Sequence, residues 1–168
     1  MSTLTGDPAL RDPARKVSSR AIAYWTTTAL VWEAVLLAGL GVVYFVVLPE
    51  RWWWATAILV LAVIGALVEI LVVPRFKYAV HRWEVTDTAI YTRSGWLNVE
   101  QRIAPLSRVQ TVDSEQGAIQ RMFRLASITV TTASAAGAIE INCLDQDEAK
   151  RVVADLTAIT GRDEGDAT

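Results

Sequence analysis

The sequence has few of the residues from which reactive or cross-linked sites are built. It contains one cysteine, Cys143, and one histidine, His81. A single cysteine excludes an intrachain disulfide, and no Cys/His cluster has the spacing of a metal site. No G-x-S-x-G motif accompanies His81, and the phosphate-binding patterns G-x-x-x-x-G-K-S/T and G-x-G-x-x-G do not occur. We therefore predict a protein that is not an enzyme and has no catalytic, cofactor-binding or metal-binding residues.

The chain also lacks a large excess of charge of either sign. It has 16 Lys and Arg residues against 18 Asp and Glu residues, and its formal net charge is −2. Proteins that bind nucleic acid through its phosphates present a strongly basic surface. We therefore expect no nucleic-acid partner.

Long apolar runs dominate the first half of the chain. One extends from Tyr24 to Leu48 and the other from Trp52 to Val73, with only the residues 49–51 between them. About 20 helical residues cross a bilayer core of about 30 Å. The first run is also longer than the apolar core of a signal peptide, which has about 7–15 residues. We predict a transmembrane hairpin over residues 21–74, with spans at about 24–48 and 52–73.

Basic residues flank the hairpin at one end. The four that precede the first span are Arg11, Arg15, Lys16 and Arg20, the three that follow the second are Arg75, Lys77 and Arg82, and the turn contains Arg51 alone. Segments rich in Lys and Arg next to a span stay in the cytoplasm. We expect a multi-pass protein of the cytoplasmic membrane with both termini in the cytoplasm.

Two acidic residues, Glu33 and Glu69, interrupt the spans. At about 1.5 Å of rise per residue, both lie roughly 25 Å from the turn, so an antiparallel hairpin brings them to one depth. One hypothesis is that the two carboxyl groups share a proton or a cation, as in a small transport accessory. The alternative is that each carboxylate reaches the headgroups or a basic residue such as Lys77 or Arg20.

After the hairpin the apolar pattern alternates. Leu97, Val99 and Ile103 alternate with polar residues, which indicates a half-buried strand. Strands are predicted over residues 79–86, 89–94, 97–103, 108–115, 127–133 and 138–143, with a short helix near 118–125. A closing helix begins at the N-cap Asp145, with Glu148 placed for a capping box, and ends before Gly161. We expect one domain over residues 75–160 and disorder in the basic tail 1–20 and the tail 161–168.

Several segments of this domain resemble one family of bacterial membrane proteins. The opening hairpin contains Trp83-Glu84-Val85-Thr86 and Arg93-Ser94-Gly95-Trp96-Leu97. Arg102 to Gln110 resembles an "IPLxRIQ" segment, and Gln116 to Ser127 resembles a "QGxLQRxxGLA" helix. With two spans in front, the chain resembles the YdbS-like membrane proteins, whose soluble part is a bacterial pleckstrin-homology (PH)-like domain called bPH2, formerly DUF304.

The resemblance implies a membrane α + β protein in which a PH-like antiparallel barrel or sandwich with a C-terminal capping helix follows the hairpin. One residue departs from the family pattern: Arg124 stands where the family usually has Gly. Because Gly tolerates turn conformations that other residues avoid, Arg124 either alters the turn there or places a cation on the edge of the domain.

Two sets of residues are candidate contacts. Those expected to meet anionic lipid headgroups are Arg15, Lys16, Arg20, Arg75, Lys77 and Arg82. Those expected to meet a protein partner are Arg108, Gln120, Arg121 and Arg124. The function we expect is that of a membrane-anchored adaptor for protein assembly, with envelope-stress tolerance implied by the resemblance. Its partner is another membrane protein or a second copy of the chain. The alternatives are a lipid-headgroup binding module and the transport accessory.

Overall fold

Two long apolar helices form an antiparallel hairpin at the start of the chain. The structure, a computed structural model, describes residues 12–48, 50, 52–133 and 137–165. Helix α1 (Arg20–Val42) continues as a π-helical turn (Val43–Val47), and helix α2 (Trp53–Leu71) returns beside it. Each of the continuous segments Arg20–Val47 and Trp53–Val80 has 28 residues, long and apolar enough to cross a membrane. This confirms the predicted hairpin.

The second membrane helix does not stop where the sequence pattern suggests. Helix α3 (Val73–Val80) follows α2 after a single irregular residue, Val72. Pro74 lies in the first turn of α3, a position where its missing N–H needs no partner. The predicted strand at 79–86 is therefore wrong over its first residues, because the chain remains helical through Val80 and the strand begins only at Arg82.

The soluble part consists of two antiparallel sheets. The first contains β1 (Arg15–Lys16), β2 (Arg82–Val85), β3 (Ala89–Gly95) and β4 (Val99–Pro105), in that order. The second contains β5 (Val109–Glu115), β6 (Leu125–Thr132) and β7 (Ile139–Asp145). A 3-10 turn (Leu106–Arg108) joins the sheets, and the short helix α4 (Ala118–Met122) lies between β5 and β6. Helix α5 (Gln146–Gly165) packs against the second sheet. The predicted PH-like sandwich with a closing helix is confirmed.

The core lies between the sheets and under α5. Its largest fully buried side chains include Trp83 and Ile90 from the first sheet, Leu125 and Ile128 from the second, and Leu156 from α5. The register places Ile90 opposite Ala104 and Ile128 opposite Ile141, so one face of each sheet is apolar. Burial of such side chains contributes about 1.5–3 kcal/mol each, which makes this core the main source of the domain's stability.

Both terminal predictions need correction. Residues 12–20 are ordered: Arg15 pairs with Trp83 and Lys16 with Arg82, so a strand that precedes the hairpin joins a sheet that follows it. Residues 1–11 lie outside the described residues. At the other end, α5 runs to Gly165 instead of ending before Gly161. A glycine inside a helix costs only about 1 kcal/mol, which the rest of the helix offsets. Residues 166–168 lie outside the described residues.

Strand β4 is confirmed, but its apolar side faces outwards. Leu97 is 82% exposed, and Val99 and Ile103 are each 42% exposed. The inward side carries Ala104, which is buried, and Arg102, whose Nη1 donates to the carbonyl of Ala138 at 2.9 Å. The alternation of the sequence predicts a strand correctly, but it does not fix which side of an edge strand meets the core.

The turn between β3 and β4 requires a glycine. Gly95 has φ of +116°, and a Cβ atom there would lie 1.9 Å from the carbonyl oxygen of Asn98. Any other residue would have to move the backbone of the turn. Gly95 therefore fixes the position of β4 against β3.

Candidate functional site

The domain end of the hairpin is part of the domain core. Ala21 in the first turn of α1 is fully buried, and Tyr24 and Trp25 pack against the core cluster. The ring of Tyr24 meets the ring of Phe123 edge to face, with centroids 6.5 Å apart. The short helix α4 is in this way held against the foot of α1. The membrane anchor and the domain share one packed interior, so surfaces on the domain have a set position relative to the bilayer.

The segment before α1 fastens this junction, and we call residues 12–19 the N-terminal segment. Val17 and Ser18 are buried, and the Ser18 N–H donates to the carbonyl of Cys143 at 3.0 Å. Asp12 accepts a hydrogen bond from Arg93 Nη1 at 2.5 Å. The amide of Ala14 donates to Glu84 Oε2 at 2.9 Å.

Three of the predicted lipid contacts lie at this junction and have partners in the chain. Arg20 forms an ion pair with Asp145 at 2.9 Å, and Arg15 with Glu148 at 3.6 Å. Lys16 lies over the ring of Tyr78, with its Nζ 5.5 Å from the centroid. Asp145 and Glu148, expected to cap α5, thus pair with a cation at the base of α1 and a cation in the N-terminal segment. Lipid contact by Arg15, Lys16 and Arg20 stays a prediction.

The other three predicted lipid contacts follow the second membrane helix. Arg75 is exposed on α3, and its Nη1 donates to the carbonyl of Leu71. Lys77 and Arg82 are half-buried. Burial raises the pKa of the Cys143 thiol to about 12, and the positive charge of Lys77 partly opposes that rise. Cys143 is therefore an unreactive core residue. Of the three predicted lipid contacts in this region, Arg75 is the one with an exposed side chain.

The predicted partner contacts divide into one structural residue and three exposed cations. Gln120 is half-buried; its Oε1 accepts from the Gly117 N–H at 3.0 Å and its Nε2 donates to Ser127 Oγ at 2.9 Å. It therefore closes the first turn of α4. Arg108, Arg121 and Arg124 are exposed. Their contact with a protein partner stays a prediction.

Arg124 keeps the tight turn despite its side chain. Its φ is +54°, in the left-handed region that favours glycine. Its carbonyl accepts a hydrogen bond from the Gln146 N–H at 2.9 Å, which ties the end of α4 to the start of α5. The backbone of the turn is therefore retained, and the substituent places a cation at the edge of the domain beside the foot of α1.

One exposed apolar residue in this region was not anticipated from the sequence. Helical spacing places Met122 with Ile119 and Phe123 on the inward face of α4, but Met122 is 79% exposed. Helix α4 has only five residues, and Phe123 already lies beyond its last turn. Met122 therefore projects between Arg121 and Arg124. We call these three residues the α4 tip.

A cleft runs between the first sheet and the closing helix. It has a volume of about 340 Å³, and it is lined by Arg15, Trp83, Val85, Thr86 and Asp87 on one wall and Val152, Asp155, Ala158 and Ile159 on the other. We call it the β2–α5 groove. Trp83 is 2% exposed, and its Nε1 has no hydrogen-bond partner among the described residues. The guanidinium of Arg15 lies over the Trp83 ring, 5.3 Å from its centroid.

The charges at the groove are mainly acidic. Asp87 and Asp155 line it, and neither forms an ion pair with another described residue. Arg15, the basic residue of the lining, is paired with Glu148. The groove therefore combines apolar side chains with two exposed carboxylates. Its size lies at the lower end of the range for ligand sites, about 300–1,000 Å³.

The intramembrane acids remain without a visible partner. Glu33 and Glu69 are each partly buried, and no ion pair or hydrogen bond among the described residues contains either carboxylate. The transport hypothesis therefore stays a prediction that no contact in the hairpin favours.

Catalytic and metal chemistry find no support in the geometry. His81 follows α3 directly, where its Nδ1 lies 2.7 Å from the carbonyl of Lys77 and its ring packs on Trp25 at 5.1 Å. Over the described ranges of the chain, no three His, Cys, Asp or Glu side chains are grouped to hold a metal ion.

The fold and its anchor define a class of protein that the comparisons also find. The family described as "Bacterial PH domain" (bPH_2) matches residues 29–159, from within α1 to the end of the groove on α5. The chain belongs to this family of bacterial PH-domain proteins.

Among curated protein sequences, the chain is similar to the UPF0699 transmembrane protein YdbS of Bacillus subtilis (strain 168). The two are 28% identical over 142 residues, which cover 83% of this chain and 88% of that protein. No solved structure matches the chain. The name of the relative supports a membrane protein, and neither name specifies a reaction or a ligand.

Proposed function

We propose that this protein is a non-enzymatic, membrane-anchored adaptor whose PH-like domain binds a segment of another membrane protein in the β2–α5 groove. The observation that carries the proposal is the groove itself. Its lining combines the apolar side chains of Val85, Val152 and Ile159 with the carboxylates of Asp87 and Asp155.

The lining also specifies the chemistry of the segment. Because Asp87 and Asp155 form no ion pair with any described residue, the groove favours a short apolar segment that carries a Lys or Arg. The grooves and sheet edges of PH-like folds suit such peptides. A role in envelope-stress tolerance rests on the family resemblance alone and remains a hypothesis.

We further propose that the domain and both termini lie in the cytoplasm, with the protein in the cell membrane. The pairing of β1 with β2 supports a common side for the two ends of the hairpin, since β1 precedes the first helix and β2 follows the second. The excess of Lys and Arg at those ends favours the cytoplasmic side. A C-terminal reporter active only outside the cytoplasm would contradict this topology.

A photo-cross-linking experiment tests the groove in native membranes. A benzophenone amino acid replaces Ala158, which lines the groove, or Ala154, which is exposed on the same helix but does not line it. We expect a defined adduct from position 158 that is weak or missing from position 154. Asp155→Arg should remove the adduct, because it reverses a charge at the rim. Equal labelling from both positions would contradict the proposal.

A second candidate function, contact with anionic lipid, is supported by the α4 tip. The contact of Tyr24 with Phe123 holds α4 at the foot of α1, close to the level of the headgroups. There Met122 is exposed between Arg121 and Arg124. An apolar side chain flanked by cations suits an anionic membrane surface, at about 1 kcal/mol for each cation.

Spin labelling of the protein in nanodiscs tests this contact. A label at Met122→Cys should become protected from a polar relaxation agent in anionic nanodiscs, and less so in zwitterionic ones. A label at Glu115→Cys, on β5, provides the control. Equal accessibility of both labels in anionic nanodiscs would reject the lipid role and leave the adaptor proposal intact.

A further inference from the structure

The outer edge of the first sheet has no neighbouring strand among the described residues, and the charges of Glu100 and Arg102 on its inward side restrict which strands can pair with it. Strand β4 is the last strand of that sheet; Val99 and Ile103 are exposed on its outward face, and Leu97 is exposed in the turn that precedes it. Proteins normally protect edge strands with inward charges, prolines, bulges or covering segments, because an apolar edge pairs readily with another strand. The exposed side of β4 therefore has the properties of a pairing surface.

The sequence of β4 is complementary to itself when reversed. It reads Val99-Glu100-Gln101-Arg102-Ile103. If two copies pair in antiparallel fashion with Gln101 opposite Gln101, Glu100 of each copy faces Arg102 of the other. In the same register Val99 faces Ile103. Opposite charges and β-branched pairs directly across strands are stabilising.

The neighbouring registers are unfavourable. A shift of one residue would place the inward side of one strand beside the outward side of the other. A shift of two residues would bring Glu100 opposite Glu100 or Arg102 opposite Arg102. Like charges directly opposite each other are destabilising. The charges thus select the register centred on Gln101.

We propose that β4 is a homodimer interface, at which the four-stranded sheets of two copies join in the register centred on Gln101. Within one chain Arg102 Nε already contacts Glu100 Oε1 at 2.8 Å, and both side chains are substantially exposed. In the dimer these pairs combine into four charges of alternating sign. Since Arg102 Nη1 is held by the carbonyl of Ala138, the guanidinium is oriented before the second copy arrives.

This inference does not rest on the adaptor function, because β4 contributes nothing to the lining of the β2–α5 groove. Two anchored copies in one bilayer must be related by an axis along the membrane normal. The test is therefore made on the full chain in native membranes.

Disulfide cross-linking tests the register. Gln101→Cys places two cysteines at the two-fold axis, where paired strands have Cα atoms about 4.5–5.5 Å apart, within the range of a disulfide. Glu115→Cys, on the exposed edge strand β5 of the second sheet, is the matched control. The native Cys143 is buried and adds little background. We expect a disulfide-linked homodimer from Gln101→Cys only.

A charge-exchange experiment distinguishes the proposed pairs between chains from the Glu100–Arg102 pair within one chain. In the Gln101→Cys background, Glu100→Arg or Arg102→Glu alone should lower cross-linking by about tenfold, since each places like charges opposite each other twice. When the two variants are co-expressed with different tags, both interchain pairs become complementary again, and a mixed dimer should form. The pair within each chain remains broken in both variants, so it cannot explain the recovery.

The outcomes decide the proposal in either direction. Homodimer from Gln101→Cys together with recovery in the mixture supports it. Cross-linking no stronger than that of Glu115→Cys, a disulfide to a different protein only, or no recovery in the mixture would overturn it. If a charge variant fails to accumulate in the membrane, the comparison of Gln101→Cys with Glu115→Cys decides alone.

Discussion

Val17→Asp should release the N-terminal segment from the domain without unfolding the rest. Val17 is 5% exposed and belongs to the same core cluster as Trp83. Burial of a valine side chain contributes about 1.5–3 kcal/mol, and a carboxylate excluded from water is unfavourable in addition. Because the segment can detach by breaking few contacts, its local opening absorbs the loss.

Hydrogen exchange measures this opening. Val17→Asp should lower the free energy of opening of the N-terminal segment by at least the free energy that burial of the valine side chain contributes. Amides of residues 12–19 should then exchange roughly 10- to 100-fold faster, at tenfold for each 1.4 kcal/mol. Mass spectrometry of the protein in nanodiscs gives this rate for peptides that cover the Ser18 amide, whose N–H donates a hydrogen bond to the backbone carbonyl of Cys143.

Ser19→Asp provides the matched control. It introduces the same carboxylate two residues later, at the exposed N-cap position of α1, where a negative charge suits the helix dipole. Exchange in this variant should equal that of the wild type or be slower. The reasoning is refuted if Val17→Asp leaves exchange unchanged, or if the segment in the wild type already exchanges like an unstructured peptide.

Four further predictions concern the stability of the domain and the reactivity of its cysteine. Leu156→Ala, at a fully buried position on α5, should destabilise the domain by about 2–5 kcal/mol in thermal unfolding, whereas Leu97→Ala, at an exposed position, should have almost no effect. Arg124→Gly should raise the melting temperature, since glycine relieves a left-handed residue that costs about 1–2 kcal/mol; a lower one would contradict the strain. Cys143, with a pKa of about 12, should react with maleimide at pH 8 only after denaturation. Burial lowers the pKa of His81 below the value of about 6.5 that it has in the unfolded chain. The free energy of unfolding should therefore be highest above pH of about 6.5 and should decrease as the pH falls towards the folded pKa, because the unfolded chain binds the proton first. His81→Asn should flatten this pH dependence in unfolding curves.

The sequence was sufficient for features set by local composition. The hairpin follows from two apolar runs, because hydrocarbon admits almost no other backbone structure than a helix. The strands β3 to β7 follow from alternation and turn residues to within about two residues at each end. The resemblance supplied the arrangement of the strands as a sandwich, and the family match bears it out.

Features set by distant contacts could not be read from the sequence. The N-terminal segment is polar and contains Pro13, so it resembles a disordered tail until its pairing with β2 is known. Helix α3 continues past Pro74 because its first residues are buried, and burial is a tertiary property. The outward side of β4 is apolar, which periodicity alone assigns to the core.

The candidate site was predicted only in part. The exposed cations Arg121 and Arg124 were identified, but Gln120 is engaged inside the domain. The residues that line the β2–α5 groove were not predicted from the sequence. The sequence did not identify Trp83 as a groove residue, because the other wall of the groove is formed by the distant helix α5. Met122 was assigned inward because a five-residue helix was treated as a longer one.

The pairing of β1 with β2 also constrains how the protein is made. The first strand leaves the ribosome before either membrane helix, yet its partner is synthesised after both. If only one helix inserts, the two strands are left on opposite faces of the bilayer and the sheet cannot be completed. Such a chain would expose Trp83 and the unfinished core to proteases. Completion of the domain thus acts as a check that the polypeptide has crossed the lipid an even number of times.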